Sequence, residues 1–232
     1  MEPSPDILHR MDGLIADWKA RRDTRYVFLA CYRLMTANMI EAIADGRFHD
    51  REWITELLQR FAGYYFEALA CYDCGDPVPG VWQQVHRYTQ ERELREVQYL
   101  LLGVNAHINY DLVLTLRDLQ DADWNSLTEA DRHKRYVDHC TVNDVIAGSI
   151  DRVQDELLSP VDPLLGWIDR ACGGLDEYLI AGLIGRWRED VWKKAGELLV
   201  AEDAATREQL RQALEADVLQ RGRLLAFAGW GG

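Results

Sequence analysis

The sequence predicts an all-α protein, a single-domain bundle of about seven to nine helices around one buried central helix. Three observations predict it. Apolar residues recur at helical spacing in one segment after another, no segment alternates apolar and polar residues as a strand does, and residues 93–119 are apolar on nearly every side. With 232 residues, 48% of them hydrophobic, the chain can bury one sizeable core. Nothing in it reads as a linker, so the domain is expected to span 1–232.

The first helix is expected over residues 6–21, where Ile7, Met11, Leu14, Ile15 and Trp18 form one stripe and Ser4 or Asp6 can cap. The second covers 26–44 and stops at Asp45-Gly46, a C-terminal glycine signal. Asp50 caps the third, which carries Trp53, Phe61, Tyr64, Tyr65, Phe66 and Leu69 towards Gly75. Asp76-Pro-Val-Pro-Gly80 cannot continue a helix, because proline offers no amide hydrogen. A short helix over 81–91 then leads into the central one. Residues 120–136 read as acidic and irregular, with a capped turn at Thr128-Glu-Ala-Asp131. Thr141 is expected to cap the next helix, with Val142, Val145, Ile146, Ile150, Val153 and Leu157 as its stripe, which leaves Asp138 in a loop at the helix entrance. Pro160 and Pro163 end that helix and start another, and Gly173-Gly174 ends the second. A long helix over 175–200 with Trp187 and Trp192 follows, then a last, polar helix over 204–225 and a frayed tail.

The formal net charge of -13 repels phosphate backbones and anionic lipid heads, which argues against nucleic acid and membrane surfaces as partners. No apolar stretch reaches about 18 residues without a charge, and Met1-Glu-Pro-Ser-Pro-Asp6 lacks the basic and apolar parts of a signal peptide. The chain therefore reads as cytoplasmic, with a small-molecule substrate and an oligomeric state that the sequence does not specify. Its cysteines, Cys31, Cys71, Cys74, Cys140 and Cys172, are odd in number, so no disulfide framework is expected. Cys71-Tyr-Asp-Cys74 has zinc-knuckle spacing but lacks a second pair, and reads as two ordinary thiols at a helix end.

Chemistry concentrates in Gly103-Val-Asn-Ala-His-Ile-Asn-Tyr-Asp-Leu112. At about 100° per residue, His107 and Asp111 share one face of the helix, while Asn105 and Asn109 share the opposite one. Buried polar groups left unpaired cost roughly 1–3 kcal/mol each, so both ladders need partners. The leading reading is a metal-assisted, hydrolase-like site in which His107, Asp111 and Asp138 hold one divalent ion, either zinc, manganese or iron, with a position left for water. The second is a metal-free tailoring or cyclising enzyme with an apolar pocket, in which Asp111 orients His107 as general base and Gly103 leaves room beside the ring. The third is a non-catalytic interaction protein whose polar core is only a stabilising network. Candidate pocket residues are Tyr32, Tyr65, Asn105, Asn109, His139, Arg188 and Trp192, the two asparagines being expected to bond flanking helices. Arg186 and Arg188 are most simply paired with Glu189 or Asp190 at the surface, although a guanidinium in so apolar a helix also suits an anionic group.

The central decapeptide resembles the mark of a bacterial family of helical proteins known as a domain of unknown function. Tyr32-x-x-x-Thr36, Phe48-x-Asp50, Tyr64-Tyr65-x-x-Ala68-Leu69, Asp138-x-x-x-Val142-Asn143 and Arg188-x-x-x-Trp192 extend the likeness over about 25–200. The resemblance implies an all-helical fold and that Asp138 belongs with His107 and Asp111. His139 stands where that family usually has an aromatic residue.

Overall fold

The structure, a computed structural model, describes residues 5–156 and 177–227, with side chains over 6–148 and 182–227. The expectations at Ser4, Ile150, Val153, Leu157, Pro160, Pro163, Cys172, Gly173-Gly174 and the C-terminal tail lie outside those residues. Within them the protein is an all-α bundle of α1 (Pro5–Arg21), α2 (Tyr26–Ala44), α3 (Arg51–Cys74), α4 (Gly80–Glu91), α5 (Glu96–Ala106), a π-helical turn (His107–Asp111), α6 (Leu112–Asp121), α7 (Glu129–Glu156), α8 (Glu177–Val200) and α9 (Ala204–Phe227). No strand occurs among the described residues.

Local chemistry sets the boundaries. The Asp50 carboxylate accepts the Trp53 amide at 2.9 Å and starts α3, while Gly75, at φ 78°, takes the left-handed conformation that ends it. The helix expected from Thr141 begins twelve residues earlier, at Glu129. Thr128 Oγ1 caps it, accepting the Asp131 amide at 3.2 Å and donating to Asp131 Oδ2 at 2.6 Å. Thr141 is interior to the helix, its hydroxyl donating to the Val137 carbonyl one turn back at 3.0 Å. Asp138 thus stands on a helix, not in an entrance loop.

Segments α5, the π turn and α6 form one continuous rod at the centre. Leu100, Leu101, Leu102, Leu112, Val113, Leu114 and Leu116 are all buried along it. Helices α2 and α3 pack on one side, α4 and α9 on another, and α8 runs along α6 and the π turn. By length and composition α2 is apolar enough to cross a membrane, yet half of that stretch is buried inside the bundle, against α1, α5 and α7.

The last helix is more than a polar cover. Carbonyls along its second half accept side-chain amides from the core: Asn105 Nδ2 donates to Val218 at 3.0 Å, Gln84 Nε2 to Leu219 at 3.2 Å and Gln98 Nε2 to Ala226, in the last turn, at 3.1 Å. Asn109 completes the ladder by donating to Asn105 Oδ1 at 3.1 Å. These bonds satisfy the asparagine face of the central rod and tie α9 to it.

Candidate functional site

The π turn carries the histidine and the aspartate. Its defining bond runs from the Leu112 amide to the His107 carbonyl, five residues back, and such single wide turns inside α-helices recur at functional sites. His107 Nδ1 lies 2.9 Å from Asp111 Oδ2, with both side chains no more than 2% exposed. Trp82 Nε1, from α4, donates to both carboxylate oxygens, at 3.1 and 3.0 Å. Thr115 Oγ1 donates to the Asp111 carbonyl at 2.7 Å.

Around the imidazole stand Phe28 and Tyr32 from α2, Phe61 and Tyr65 from α3, and Trp82. Phe61 stacks face to face on the ring with centroids 3.6 Å apart, and Tyr32 meets it edge-on at 4.4 Å. Of these, Phe61 alone is only partly buried. The space beside Gly103 is taken by Phe28, whose ring occupies the volume a Cβ would need. The glycine therefore admits an aromatic wall of the site, where the sequence suggested open room next to the histidine.

His107 Nε2 has no hydrogen-bond partner among the described residues, although it is buried. The Tyr32 hydroxyl likewise makes no hydrogen bond of good geometry among the described residues; Thr36, close by, donates instead to the Tyr32 carbonyl at 2.8 Å. Burial drives His107 well below the imidazole range. Burial also drives the Asp111 carboxyl well above the carboxylate range, opposed by the Trp82 N–H. The ring is held neutral, and the Asp111 carboxylate, where ionised, depends on the N–H groups of Trp82 and His107 that face it.

The other residues proposed from sequence fall into separate groups. Asp138 is fully buried and accepts the backbone amides of His49 and Asp50, both at 2.7 Å, which anchors the start of α3. His139, Arg188 and Trp192 cluster between α7 and α8. Among the described residues no three His, Cys, Asp or Glu side chains converge as a metal-ligand set. Trp82, Phe28 and Phe61 were not singled out as site residues by sequence reasoning. The available signal was that a buried indole N–H needs an acceptor and a buried carboxylate needs donors.

Residues 5–227 match the profile of a family described as a family of unknown function, DUF5995. The chain belongs to DUF5995. The match takes in every element that builds the site, from the aromatic residues of α2 and α3 to the closing helix α9, and so extends beyond 25–200 on both sides. Comparison with curated proteins and with solved structures gives no match for this DUF5995 chain.

Proposed function

We propose that this protein is a metal-free small-molecule tailoring enzyme in which His107 acts as general base and Asp111 as its proton partner. The observation that carries this reading is the buried His107 Nε2, which lacks a hydrogen-bond partner among the described residues while Asp111, itself held by Trp82, holds the other end of the imidazole. An orphaned buried nitrogen is a free-energy cost, and at His107, unlike at His86, the other ring nitrogen is oriented by a carboxylate, the arrangement of a general base. A substrate hydroxyl or acidic C–H next to Nε2 gives it a partner, with the aromatic rings enclosing the rest of the molecule. Phe61, stacked on the imidazole and half-buried, is the ring whose rotation opens the way in.

The proton path follows from burial. While Asp111 is protonated it donates to Nδ1 and the ring proton sits on Nε2; ionisation of Asp111 gives the base-competent state, in which Nδ1–H donates to the carboxylate and Nε2 presents a lone pair. When Nε2 takes a proton from substrate, Nδ1–H passes to Asp111, so the core never holds an imidazolium. A carboxyl raised well above its usual range is suited to accept that proton. Among the described residues Cys71, Cys74 and Cys140 form no disulfide, which fits a cytoplasmic setting for this chemistry.

The test is a conversion assay. Tag-free protein is incubated with a bacterial small-molecule extract and the mixture is followed by mass spectrometry, beside His107→Gln and an EDTA-treated sample. A metabolite consumed by the parent, spared by His107→Gln and still consumed after EDTA supports the reading. Conversion abolished by EDTA and restored by zinc, manganese or iron returns the assignment to a metal site. Absence of any His107-dependent binding or conversion leaves the polar core as a structural network.

A further inference from the structure

Arg188 is 2% exposed, and among the described residues no carboxylate pairs with it. Its partners are neutral. Nε donates to Asn143 Oδ1 at 2.7 Å, and Nη2 donates to the His139 carbonyl at 2.8 Å and points at His139 Nδ1 at 3.2 Å. His139 Nε2 lies 3.0 Å from the Arg188 carbonyl, which fixes the tautomer: Nε2–H donates to that oxygen and Nδ1 accepts from the guanidinium. Burial and the adjacent guanidinium hold His139 well below the imidazole range, so it supplies no charge. Burial lowers Arg188 to about 10, which leaves it cationic at neutral pH, with only the nearby Cys140 thiol favouring the charge.

The flanking acids serve elsewhere. Glu189 accepts the Tyr136 hydroxyl at 2.9 Å and pairs with Lys193 at 3.5 Å, while Asp190 acts on Arg221. Of the five guanidinium donors, those on Nη1 have no acceptor among the described residues. A buried arginine without a counter-charge among the described residues offers a place for an anion from outside.

A route to that place lies beside it. Trp192 lies against His139 with the rings tilted by 40° and centroids 5.1 Å apart, and Trp192 and Tyr136 also line a surface cavity of about 580 Å³ together with Trp124, Glu129, Arg132 and His133. Arg132, whose guanidinium lies over the Trp124 ring, has a buried Nε with no partner among the described residues. The cavity thus offers aromatic walls, Arg132 as a cation opposed by the Glu129 carboxylate and, behind its Trp192 wall, the Arg188–His139 pair.

We propose that Arg188 is the recognition group of a binding site for a small carboxylate with an aromatic or apolar body, at the seam of α7 and α8. The carboxylate accepts from Nη1 after Trp192 shifts, and the body rests on Trp124, Tyr136 and Trp192. This inference goes beyond the His107 reading and needs neither His107 nor Asp111.

The test measures binding of benzoate, benzamide and inorganic phosphate to the full chain by calorimetry and tryptophan fluorescence. Benzoate binds saturably, and benzamide, the same shape without the charge, does not. Arg188→Lys weakens benzoate at least about tenfold, because the planar fork is lost, and Arg132→Gln weakens it about threefold through loss of the rim charge. Equal binding of benzoate and benzamide, preference for phosphate, no benzoate binding, or unchanged affinity in Arg188→Lys overturns the proposal. If circular dichroism shows Arg188→Lys unfolded, Arg132→Gln decides: unchanged benzoate affinity there overturns it too.

Discussion

The indole N–H of Trp82 sits astride the carboxylate of Asp111, 3.1 Å from Oδ1 and 3.0 Å from Oδ2. It is the donor that offsets the burial of that carboxylate in an aromatic core. Trp82→Phe keeps much of the packing and removes the donor. We expect a loss of about 1–3 kcal/mol in chemical denaturation and a further rise in the Asp111 pKa. Unchanged stability would show that the bond contributes nothing.

Asp111→Asn separates fold from chemistry. The amide oxygen still accepts from Trp82 and the NH2 group donates to His107 Nδ1, which forces the proton onto Nε2. Melting should stay within about 1 kcal/mol of the parent, as expected when both partners remain bonded, while His107-dependent conversion disappears. Asp111→Leu orphans Trp82 Nε1 and His107 Nδ1 together and should cost about 2–5 kcal/mol.

Gly103 and Phe28 are shaped for one another, so Gly103→Ala drives a methyl into the Phe28 ring. Overpacking of this kind costs about 1–3 kcal/mol. Combining it with Phe28→Ala should lose less than the sum of the single variants, a coupling read from a double-mutant cycle. Additive losses would place the clash elsewhere.

His86 is buried between Tyr72 and Trp82, and neither ring nitrogen has a partner among the described residues. Burial, then the nearby Arg25, lowers it to about 4, against Asp73 and Asp23, which raise it. Because the folded pKa is depressed, the unfolded chain gains the proton first. Stability is therefore lost as pH falls from about 6.5 towards about 4, by roughly 3 kcal/mol from this residue. His86→Phe should flatten that part of the pH–stability curve and leave stability at pH 7 equal or higher. An acid limb identical to the parent's would refute the assignment.

Asp138→Ala leaves the His49 and Asp50 amides without their acceptor and should cost about 2–4 kcal/mol, read as a lower denaturation midpoint. Asp138→Asn keeps an acceptor oxygen and should lose less. A variant as stable as the parent would mean that the carboxylate does not anchor α3.

Much of the fold was legible because its signals are local. Asp50, Asp45-Gly46 and the Asp76-Pro-Val-Pro-Gly80 break act within a turn of where they stand: α2 ends, α3 begins and ends, and α4 begins where those residues require. The start of α7 was not, because Thr141 has the chemistry of a cap and the residues before it are too polar to display a buried stripe. The His107–Asp111 pairing was legible from its spacing. The π turn was not, since one wide turn in an otherwise apolar helix leaves no compositional trace. Trp82 meets Asp111 across 29 residues of sequence, a relation only the packing of α4 supplies. Arg188 was given Glu189 and Asp190 as partners by proximity, but residues one and two places along a helix do not share its face. The arginine points into the bundle instead.

The central claim is that His107 stays uncharged and exchanges its proton with Asp111. The most direct measurement is a nitrogen–proton correlation spectrum of histidine-labelled protein across a pH titration. The account predicts a neutral His107 ring throughout, protonated on Nε2 at the acid end and switching to Nδ1 as Asp111 ionises, with the switch absent in Asp111→Asn. A ring protonated on both nitrogens at neutral pH, or one that keeps a single tautomer through the whole titration, would contradict it.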